Sequence, residues 1–293
     1  MQQKIKMPEA FREIFNPYRV KTYHGGRGSG KSENVGRYLL ADGTRESQNI
    51  VCGREFQSSI KESVHSMLDY LIKDMHLEEY YDVLNNEIRG KKNDTQFSFV
   101  GVRNNIQSLK SMHNIKKFWG EEAQSFSQNS LDIIFPTIRA PGSELLFTMN
   151  PILVEDPAYQ TLIANPQPNS LVQQVNYTDN PFFPDELEEL RQHHERVFTP
   201  EKYRNIWLGE CLSAVEGAIF ARELEAATKE GRIRELKYDP KYPVHTFWDL
   251  GHSDLTAIWF IQVVGFEYRI LRYYANSQEK IHHYIQYVKE QEY

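Results

Sequence analysis

The chain has 293 residues, of which 40% are hydrophobic and 25% are charged, a composition typical of a folded protein with one large domain or, more often, two. The formal net charge of −6 excludes a surface covered with basic residues, although it is compatible with a local basic patch for DNA. The two cysteines, Cys52 and Cys211, suit a reducing cytoplasm rather than a disulfide framework or a Cys-x-x-Cys metal site. No apolar run has the length of a membrane span, and the first residues do not resemble a signal peptide.

A glycine-rich loop lies between a β-prone run over residues 19–24 and a run in which Val35, Leu39 and Leu40 recur at helical spacing. The loop matches the phosphate-binding pattern G-x-x-x-x-G-K-[ST] and consists of Gly25, Gly26, Arg27, Gly28, Ser29, Gly30, Lys31 and Ser32. Glycine permits the positive φ angles that let a loop curl its N–H groups around a phosphate, next to the positive end of a helix. We therefore predict that this loop binds the phosphates of a nucleotide.

Two residues of the loop have separate predicted roles. Lys31 supplies a positive charge for the β- and γ-phosphates, and the hydroxyl of Ser32 is the expected Mg²⁺ ligand. The alternative is a glycine- and serine-rich surface turn, which the flanking strand and helix disfavour. Just before the loop strand, Tyr18 and Arg19 either stack on a base or pack beneath the strand.

Residues 49–53 predict a second buried strand, which leads into a long helix over residues 57–75. Arg54 follows this strand at its carboxyl end, where ligands gather in open α/β sheets. A charged residue at a strand end is also common without any special role, so both interpretations stay open. A polar excursion with a hairpin tip follows over residues 76–94, and residues 97–101 predict a third strand.

Segment 115–123 predicts a short strand that ends in two consecutive acids, Glu121 and Glu122. An ATPase with a phosphate-binding loop needs one carboxylate at its Mg²⁺ site and a second acid that orients and deprotonates the attacking water. The pair supplies both groups. The alternative is a glutamate pair that interacts with the dipole of a following helix.

A helix over residues 128–139 and a strand that ends before Pro151 come next, and residues 170–176 predict a further strand. Asn150 lies at the end of the strand before Pro151. Its side chain can hydrogen-bond a γ-phosphate or the lytic water, or it can cap a turn. Lys110, Lys116 and Lys117 are candidates for DNA contact or for a solvated face.

Proline residues mark a joint over residues 177–184, and two short helices follow over residues 184–197 and 200–208. A further helix is predicted around residues 222–230. The last part of the chain then predicts three strands, with a tight turn at Val264-Gly265, and a helix over residues 278–290.

A β-β-β-α order with an aspartate late in its first strand is how the ribonuclease-H-like nuclease fold begins. Asp249 has that position, and it is the predicted first metal ligand, with Asp254 as the second. The alternative is a turn-forming Asp-x-Gly between the strands of a hairpin.

Together these segments resemble the large terminase subunit of tailed bacteriophages, the motor that packages double-stranded DNA into the capsid. The resemblance covers nearly the whole chain. Its motifs are the arginine-containing loop Gly25 to Ser32, Trp119-Gly120-Glu121-Glu122-Ala123, Thr148-Met149-Asn150-Pro151, Asn176-Tyr177-Thr178-Asp179-Asn180-Pro181 and Tyr203-Arg204-Asn205-Ile206-Trp207-Leu208-Gly209-Glu210. The last two are the most specific, because no general ATPase chemistry requires them.

The resemblance implies a role for each matching residue. Lys31 and Ser32 contact phosphate and Mg²⁺, Glu121 is the metal-site acid and Glu122 is the catalytic base. Asn150 belongs to the motif that couples ATP hydrolysis to movement. Arg27 matches a loop arginine that stabilises the transition state, and such an arginine contributes about 10³–10⁵ in rate.

The implied fold is α/β. It is an additional-strand P-loop NTPase domain with a mostly parallel sheet over residues 1–180, a linker subdomain over 181–212 and the start of a ribonuclease-H-like domain over 213–293. The implied partners are double-stranded DNA, a small terminase subunit and a portal protein. The implied assembly is a ring, pentameric by analogy, on the procapsid in the cytoplasm of the infected host and not in the mature virion.

The sequence departs from the family pattern at three points. Gly120 replaces the usual apolar residue before the acids, and the metal-site acid is Glu121 rather than the commoner aspartate. The chain also stops after the first helix of the nuclease region, before the strand that brings further acids for two Mg²⁺ or Mn²⁺ ions. We therefore expect a fragment with ATPase capacity and without competent nuclease activity.

Two other functions remain open on the sequence alone. A helicase or repair motor shares the same core, although no second motor domain is recognisable. A nucleotide-gated assembly protein binds ATP without turnover, and measured ATP hydrolysis distinguishes it from both motors.

Overall fold

The computed structural model describes residues 6–56, 61–103, 109, 111–212, 221–251, 255–277, 279–291 and 293. The chain divides into two compact units, Met1–Glu216 and Gly217–Tyr293. Each unit has its own sheet and its own hydrophobic core.

An eight-stranded sheet forms the centre of the first unit, in the order β3-β4-β5-β2-β6-β7-β1-β8. The strands are β1 (Val20–His24), β2 (Asn49–Arg54), β3 (Tyr81–Val83), β4 (Glu87–Gly90), β5 (Gln96–Gly101), β6 (Ile115–Glu121), β7 (Glu144–Met149) and β8 (Ser170–Gln174). Strands β5, β2, β6, β7, β1 and β8 pair in parallel, and the hairpin β3–β4 adds antiparallel pairing at one edge. This arrangement confirms the predicted mostly parallel sheet. Strand β7 is the additional strand, because it separates the loop strand β1 from the acidic strand β6.

Helices cover both faces of this sheet, which explains why its central strands are nearly continuous apolar runs. The longer helices described in the first unit are α1 (Lys31–Gly43), α2 (Ser66–Asp74), α3 (Gln128–Thr137), α4 (Asp185–Val197) and α5 (Pro200–Leu208), and a 3₁₀ helix (Glu9–Phe15) precedes β1. One core lies beneath α1 and α2 and includes Leu39, Leu68 and Trp119. A second core lies beneath α3 and includes Leu131 and Phe147.

One helix differs from the sequence expectation. The long helix predicted over residues 57–75 is a π-helical turn (Lys61–His65) followed by α2, and residues 57–60 lie outside the described ranges.

Within the part of the chain that the structure describes, no helix is both long and apolar enough to cross a membrane.

Lys117 is neither a DNA contact nor part of a solvated face, which corrects the sequence interpretation. Its ammonium is buried, 2.9 Å from a carboxylate oxygen of Glu144 and 3.1 Å from one of Asp42. Lys21 shares Glu144 at 2.9 Å. The ammonium of Lys116 donates to a backbone carbonyl on the surface, and Lys110 lies outside the described residues. Lys117 therefore helps to neutralise a buried carboxylate.

The second unit contains α6 (Ala221–Lys229), β9 (Val244–Asp249), β10 (Thr256–Val264), β11 (Glu267–Asn276) and α7 (Ile281–Lys289). Its strands form an antiparallel sheet in the order β11-β10-β9, and α7 packs on one face through Tyr284 against Ile258 and Phe260. The turn between β10 and β11 centres on Gly265, which has a φ of 62°. The β-β-β-α order is as predicted, while its assignment to the ribonuclease-H-like class stays a prediction.

Candidate functional site

A pocket of about 510 Å³ lies at the carboxyl ends of β1, β6 and β7. Its lining includes Gly26, Arg27, Gly28, Ser29, Gly30, Lys31, Ser32, Glu121, Glu122, Gln124, Thr148 and Asn150. Three separate sequence segments therefore meet there: the glycine-rich loop, the acid pair and the end of β7. The structure brings together every predicted nucleotide-site residue except Gly25, which lies directly behind the lining at the end of β1.

The glycine-rich loop turns sharply into helix α1. Gly28 and Gly30 have φ angles of 74° and 76°, which are favourable for glycine and costly for other residues. Helix α1 begins at Lys31, so its first backbone amides have no carbonyl partners within the helix. These amides and the positive end of the helix dipole favour an anion at this position.

The side chain of Lys31 lies inside the loop. Its ammonium donates to the carbonyls of Gly26 at 2.7 Å and Gly25 at 3.0 Å, and to the hydroxyl of Ser29 at 2.8 Å. Burial lowers the pKa of Lys31 to about 7, and the nearby carboxylate of Glu121 only partly opposes this shift. An anion bound in the loop favours the charged form and raises that pKa again.

Two segments outside the loop hold its backbone in place. The side-chain oxygen of Asn176 accepts a 2.9 Å hydrogen bond from the Gly26 amide, and the side-chain amide of Asn180 donates to the Gly28 carbonyl at 2.7 Å. The Arg27 amide donates to the Ile206 carbonyl at 2.8 Å. The two most family-specific motifs of the sequence therefore clamp the phosphate-binding loop, a role that sequence reasoning had not assigned.

The same clamp explains why two positions of the loop are glycine, since neighbouring atoms approach their Cα atoms closely. A Cβ on Gly26 would lie 2.0 Å from the Trp207 carbonyl oxygen, and a Cβ on Gly28 would lie 2.1 Å from the Phe183 ring. Behind the loop, the ring of Trp207 packs against Phe183 and Tyr177. Any larger residue at these two loop positions would displace the clamp.

The acid pair lies on the other side of the pocket. Glu121 is buried at the end of β6, and its Oε1 accepts a 3.1 Å hydrogen bond from the hydroxyl of Ser32. Glu122 has a φ of 52° and an exposed carboxyl group. Burial raises the pKa of Glu121, while the Arg54 guanidinium beside it acts in the opposite direction.

Ser32 and Glu121 together fit a magnesium ion. Mg²⁺ takes oxygen ligands and is usually held by one or two carboxylates together with water and substrate phosphates. The two side-chain oxygens lie 3.1 Å apart and both residues line the pocket. The Glu121–Ser32 pair therefore has the donor chemistry that the predicted site requires.

Gly120, one of the departures from the family pattern, has a packing explanation. A Cβ at this position would lie 2.6 Å from the Phe147 ring and 2.7 Å from the Phe126 ring. These aromatic rings fill the space that an apolar side chain before the acids would otherwise take.

Asn150 and Arg27 both line the pocket. Asn150 follows β7, and its backbone amide donates to the side chain of Gln124 at 3.2 Å. The side chain of Arg27 is exposed. The structure therefore places both predicted residues at the same pocket as the loop and the acid pair.

Other sequence candidates lie elsewhere. Arg19 donates to the Ser143 carbonyl at 2.8 Å, at the amino end of β7, whereas the pocket lies at the carboxyl ends of the strands, so packing rather than base stacking is the favoured interpretation of Arg19. For Tyr18 both interpretations stay predictions. Asp249 is exposed at the end of β9 in the second unit, and Asp254 lies outside the described residues. Among the residues that the structure describes, no three His, Cys, Asp or Glu side chains cluster to hold a metal ion.

The fold and pocket define a phosphate-binding-loop protein of the additional-strand class. Residues 18–210 match the family model described as phage terminase large subunit. The match covers more than half of the chain, so the chain belongs to the phage terminase large subunit family. No curated protein sequence matches the chain.

Solved structures with this fold come from several phages. A large terminase from a thermophilic bacteriophage is 13% identical with a TM-score of 0.59, over 98% of this chain and 74% of that one. The Thermus phage P74-26 large terminase ATPase domain is 11% identical with a TM-score of 0.53, over 70% and 92%. The bacteriophage Phi-29 viral genome packaging motor assembly is 12% identical with a TM-score of 0.50, over 94% and 81%. The first terminase has also been solved with ADP, at 14% identity and a TM-score of 0.56, over 97% and 72%.

Proposed function

We propose that this chain is an ATP-hydrolysing motor subunit that translocates double-stranded viral DNA into a procapsid. One observation carries the proposal: the glycine-rich loop, the acid pair and Asn150 line a single pocket at the carboxyl edge of the sheet. Membership of the terminase family and the ADP complex of a related large terminase support ATP as the nucleotide.

Binding begins at the loop. The free amides at the start of α1 and the ammonium of Lys31 bind the β- and γ-phosphates. Lys31 replaces its hydrogen bonds to the loop carbonyls with bonds to phosphate oxygens. Mg²⁺, held by Ser32 and Glu121, would neutralise charge that develops on the phosphate oxygens. The clamp formed by Asn176 and Asn180 holds the loop backbone in place during this exchange.

Hydrolysis requires a base and a group that stabilises the transition state. Glu122 accepts a proton from the attacking water, because its carboxylate lines the pocket at the exposed side of the acid pair. Asn150 orients that water or a γ-phosphate oxygen by hydrogen bonding. Arg27 neutralises charge on the transferred phosphoryl group, as a loop arginine does in this family.

The proposal extends to partners. A small terminase subunit, a portal protein and a homo-oligomeric ring on the procapsid follow from the family, and a relative of known structure is a packaging motor assembly. The site of action is the cytoplasm of the infected bacterium, before the virion is complete. Asp249, with Asp254, is the proposed start of a nuclease site in the second unit.

Steady-state ATP hydrolysis tests the proposal. We expect Mg²⁺-dependent turnover that double-stranded DNA stimulates and that Lys31→Ala abolishes. Turnover unaffected by Lys31→Ala would show that another site hydrolyses ATP. ATP binding without turnover would favour a nucleotide-gated assembly protein, and DNA unwinding would favour a helicase.

A further inference from the structure

Arg54 connects the two glutamates of the pocket, although they are consecutive in the chain. Its guanidinium bonds Oε2 of Glu121 through both Nε and Nη2, and the same Nη2 lies 3.2 Å from Oε1 of Glu122. Arg54 is buried and lies behind the acid pair, since it does not itself line the pocket. A single cation therefore contacts both carboxylates from the protein side.

Strand pairing explains how Arg54 reaches this position. Strands β2 and β6 are parallel neighbours, and Gly53 pairs with Gly120 in their register. The next residue of each strand is Arg54 and Glu121, so the two side chains lie level with each other at the carboxyl edge. They are 67 residues apart in the sequence, and only the adjacency of the strands brings them together.

The contact coincides with an unusual backbone conformation at Glu122. Consecutive residues of a strand point to opposite faces, so two adjacent acids cannot both face one pocket in extended conformation. Glu122 is not extended: its φ of 52° is a left-handed conformation that non-glycine residues seldom adopt. The bond to Arg54 stabilises this turn and offsets the repulsion between the two carboxylates.

The same contact determines which oxygen of Glu121 faces the pocket. Oε2 is held by Arg54, and Oε1 accepts from Ser32 at 3.1 Å. A glutamate is long enough to make both contacts at once. The shorter side chain of an aspartate would have one methylene less to span the gap between Arg54 and Ser32.

We propose that Arg54 is a positioning residue for the acid pair: it directs one oxygen of Glu121 toward the magnesium position and holds Glu122 turned into the pocket. Arg54 acts through the glutamates and does not touch the nucleotide. The inference rests on the proposed function, because it assigns the two acids to a metal ion and to water.

The test uses the full chain and three variants: Arg54→Ala, Arg54→Lys and the control Arg89→Ala. Arg89 also pairs with a glutamate, but it lies on the β3–β4 hairpin. The first readout is the affinity for a fluorescent ADP with and without Mg²⁺, which needs no turnover. The second is the Mg²⁺ concentration at half-maximal ATP turnover.

For Arg54→Ala we expect the gain in ADP affinity from Mg²⁺ to shrink by roughly tenfold, and the Mg²⁺ concentration at half-maximal turnover to rise by about 10–100-fold, as for other residues that orient metal ligands. ADP affinity without Mg²⁺ stays within about twofold of wild type, because the loop is intact. Arg54→Lys recovers only part of the loss, since an ammonium lacks the fork that bonds both carboxylates. Arg89→Ala behaves as wild type.

An unchanged Mg²⁺ effect in both Arg54 variants would overturn the inference. Equal losses of ADP affinity with and without Mg²⁺ in Arg54→Lys would also overturn it, because they would show a structural role only. A wild-type chain that binds Mg²⁺ and ADP but never hydrolyses ATP would contradict the proposed function, while the binding readout still tests Arg54.

Discussion

The two units of the chain place their acidic residues in different ways. In the first unit, Glu121 is buried and contacts Ser32 from α1 and Arg54 from β2. In the second unit, Asp249 also ends a strand, but it is exposed. Both residues fit the rule that functional carboxylates follow strands, yet only Glu121 is held by side chains from two other elements. Convergence of several elements therefore supports a site at Glu121 beyond what residue type and position indicate.

Their cores differ as well. The first unit buries both faces of its sheet, whereas the second unit packs α7 on one face and leaves several large apolar side chains exposed, including Phe247 and Trp259. A sheet that is covered on both faces positions the ends of its strands firmly. This difference makes the first unit the better scaffold for a site that depends on sub-ångström placement.

Arg27→Ala should have the largest effect, which is a loss of ATP turnover at the pocket of the first unit. ATP binding should survive, because the loop backbone and Lys31 remain, while turnover falls by about 10³–10⁵ if Arg27 is the transition-state arginine. Binding of a fluorescent ATP analogue and steady-state hydrolysis provide the two readouts. Persistent turnover would show that the arginine comes from elsewhere, such as a neighbouring subunit.

Substitution of one phenylalanine in each unit compares how much the two sheets contribute to stability. Phe147 is 0% exposed beneath α3, and Phe247 is 56% exposed on β9. Phe147→Ala should cost about 3–5 kcal/mol in the free energy of unfolding, because it removes a buried ring and leaves a cavity. Phe247→Ala should cost less than about 1 kcal/mol in urea denaturation of the same chain. Equal costs would show that the exposed face of the second sheet is covered in solution.

His24 is expected to make the stability of the first unit depend on pH. Burial, together with the positive charge of Lys31, lowers the pKa of His24 to about 4. The folded state then binds fewer protons than the unfolded state below the ordinary histidine pKa. The free energy of unfolding therefore has its full value above about pH 6.5. It decreases as the pH falls toward 4, by roughly 3 kcal/mol in total.

Thermal unfolding between pH 4 and 7 checks this prediction for His24. His24→Gln should flatten the pH dependence, whereas His245→Gln, at an exposed position of the second unit, should leave it unchanged. A wild-type pH profile in His24→Gln would contradict the assignment.

Asn180→Ala gives the smallest expected effect. It removes the 2.7 Å hydrogen bond to the Gly28 carbonyl and should weaken binding of an ATP analogue by about fivefold, since one hydrogen bond contributes about 1 kcal/mol. Asn93→Ala removes a similar amide-to-carbonyl bond to Gly43 at the far end of α1 and serves as the control. Equal affinity in the two variants would exclude the clamp from nucleotide binding.

Much of the first unit was predictable from local patterns. The loop, the acid pair and Asn150 follow from residue chemistry at strand ends, and the order of helices and strands follows from apolar periodicity. Family resemblance, rather than periodicity, indicated the additional strand. The exact helix start near Ser66 was missed, because a π-helical turn keeps nearly the same apolar pattern as an α-helix.

The remaining contacts depend on which strands become neighbours. Arg54 meets Glu121 only because β2 lies beside β6, and no local pattern encodes that order. Lys117 looked like part of a basic surface because its partners, Glu144 and Asp42, are distant in the sequence. The clamp by Asn180 has the same origin, since loop and motif meet only after β8 has paired with β1.

The most direct test of the account is Glu122→Gln in the full chain. The substitution keeps the size of the side chain and removes its basicity, so the variant should bind Mg²⁺ and an ATP analogue like wild type. Its ATP turnover should fall by about 10²–10⁴, the usual contribution of a general base. Turnover at the wild-type rate would contradict the central claim that the glycine-rich loop and the acid pair form one hydrolytic site.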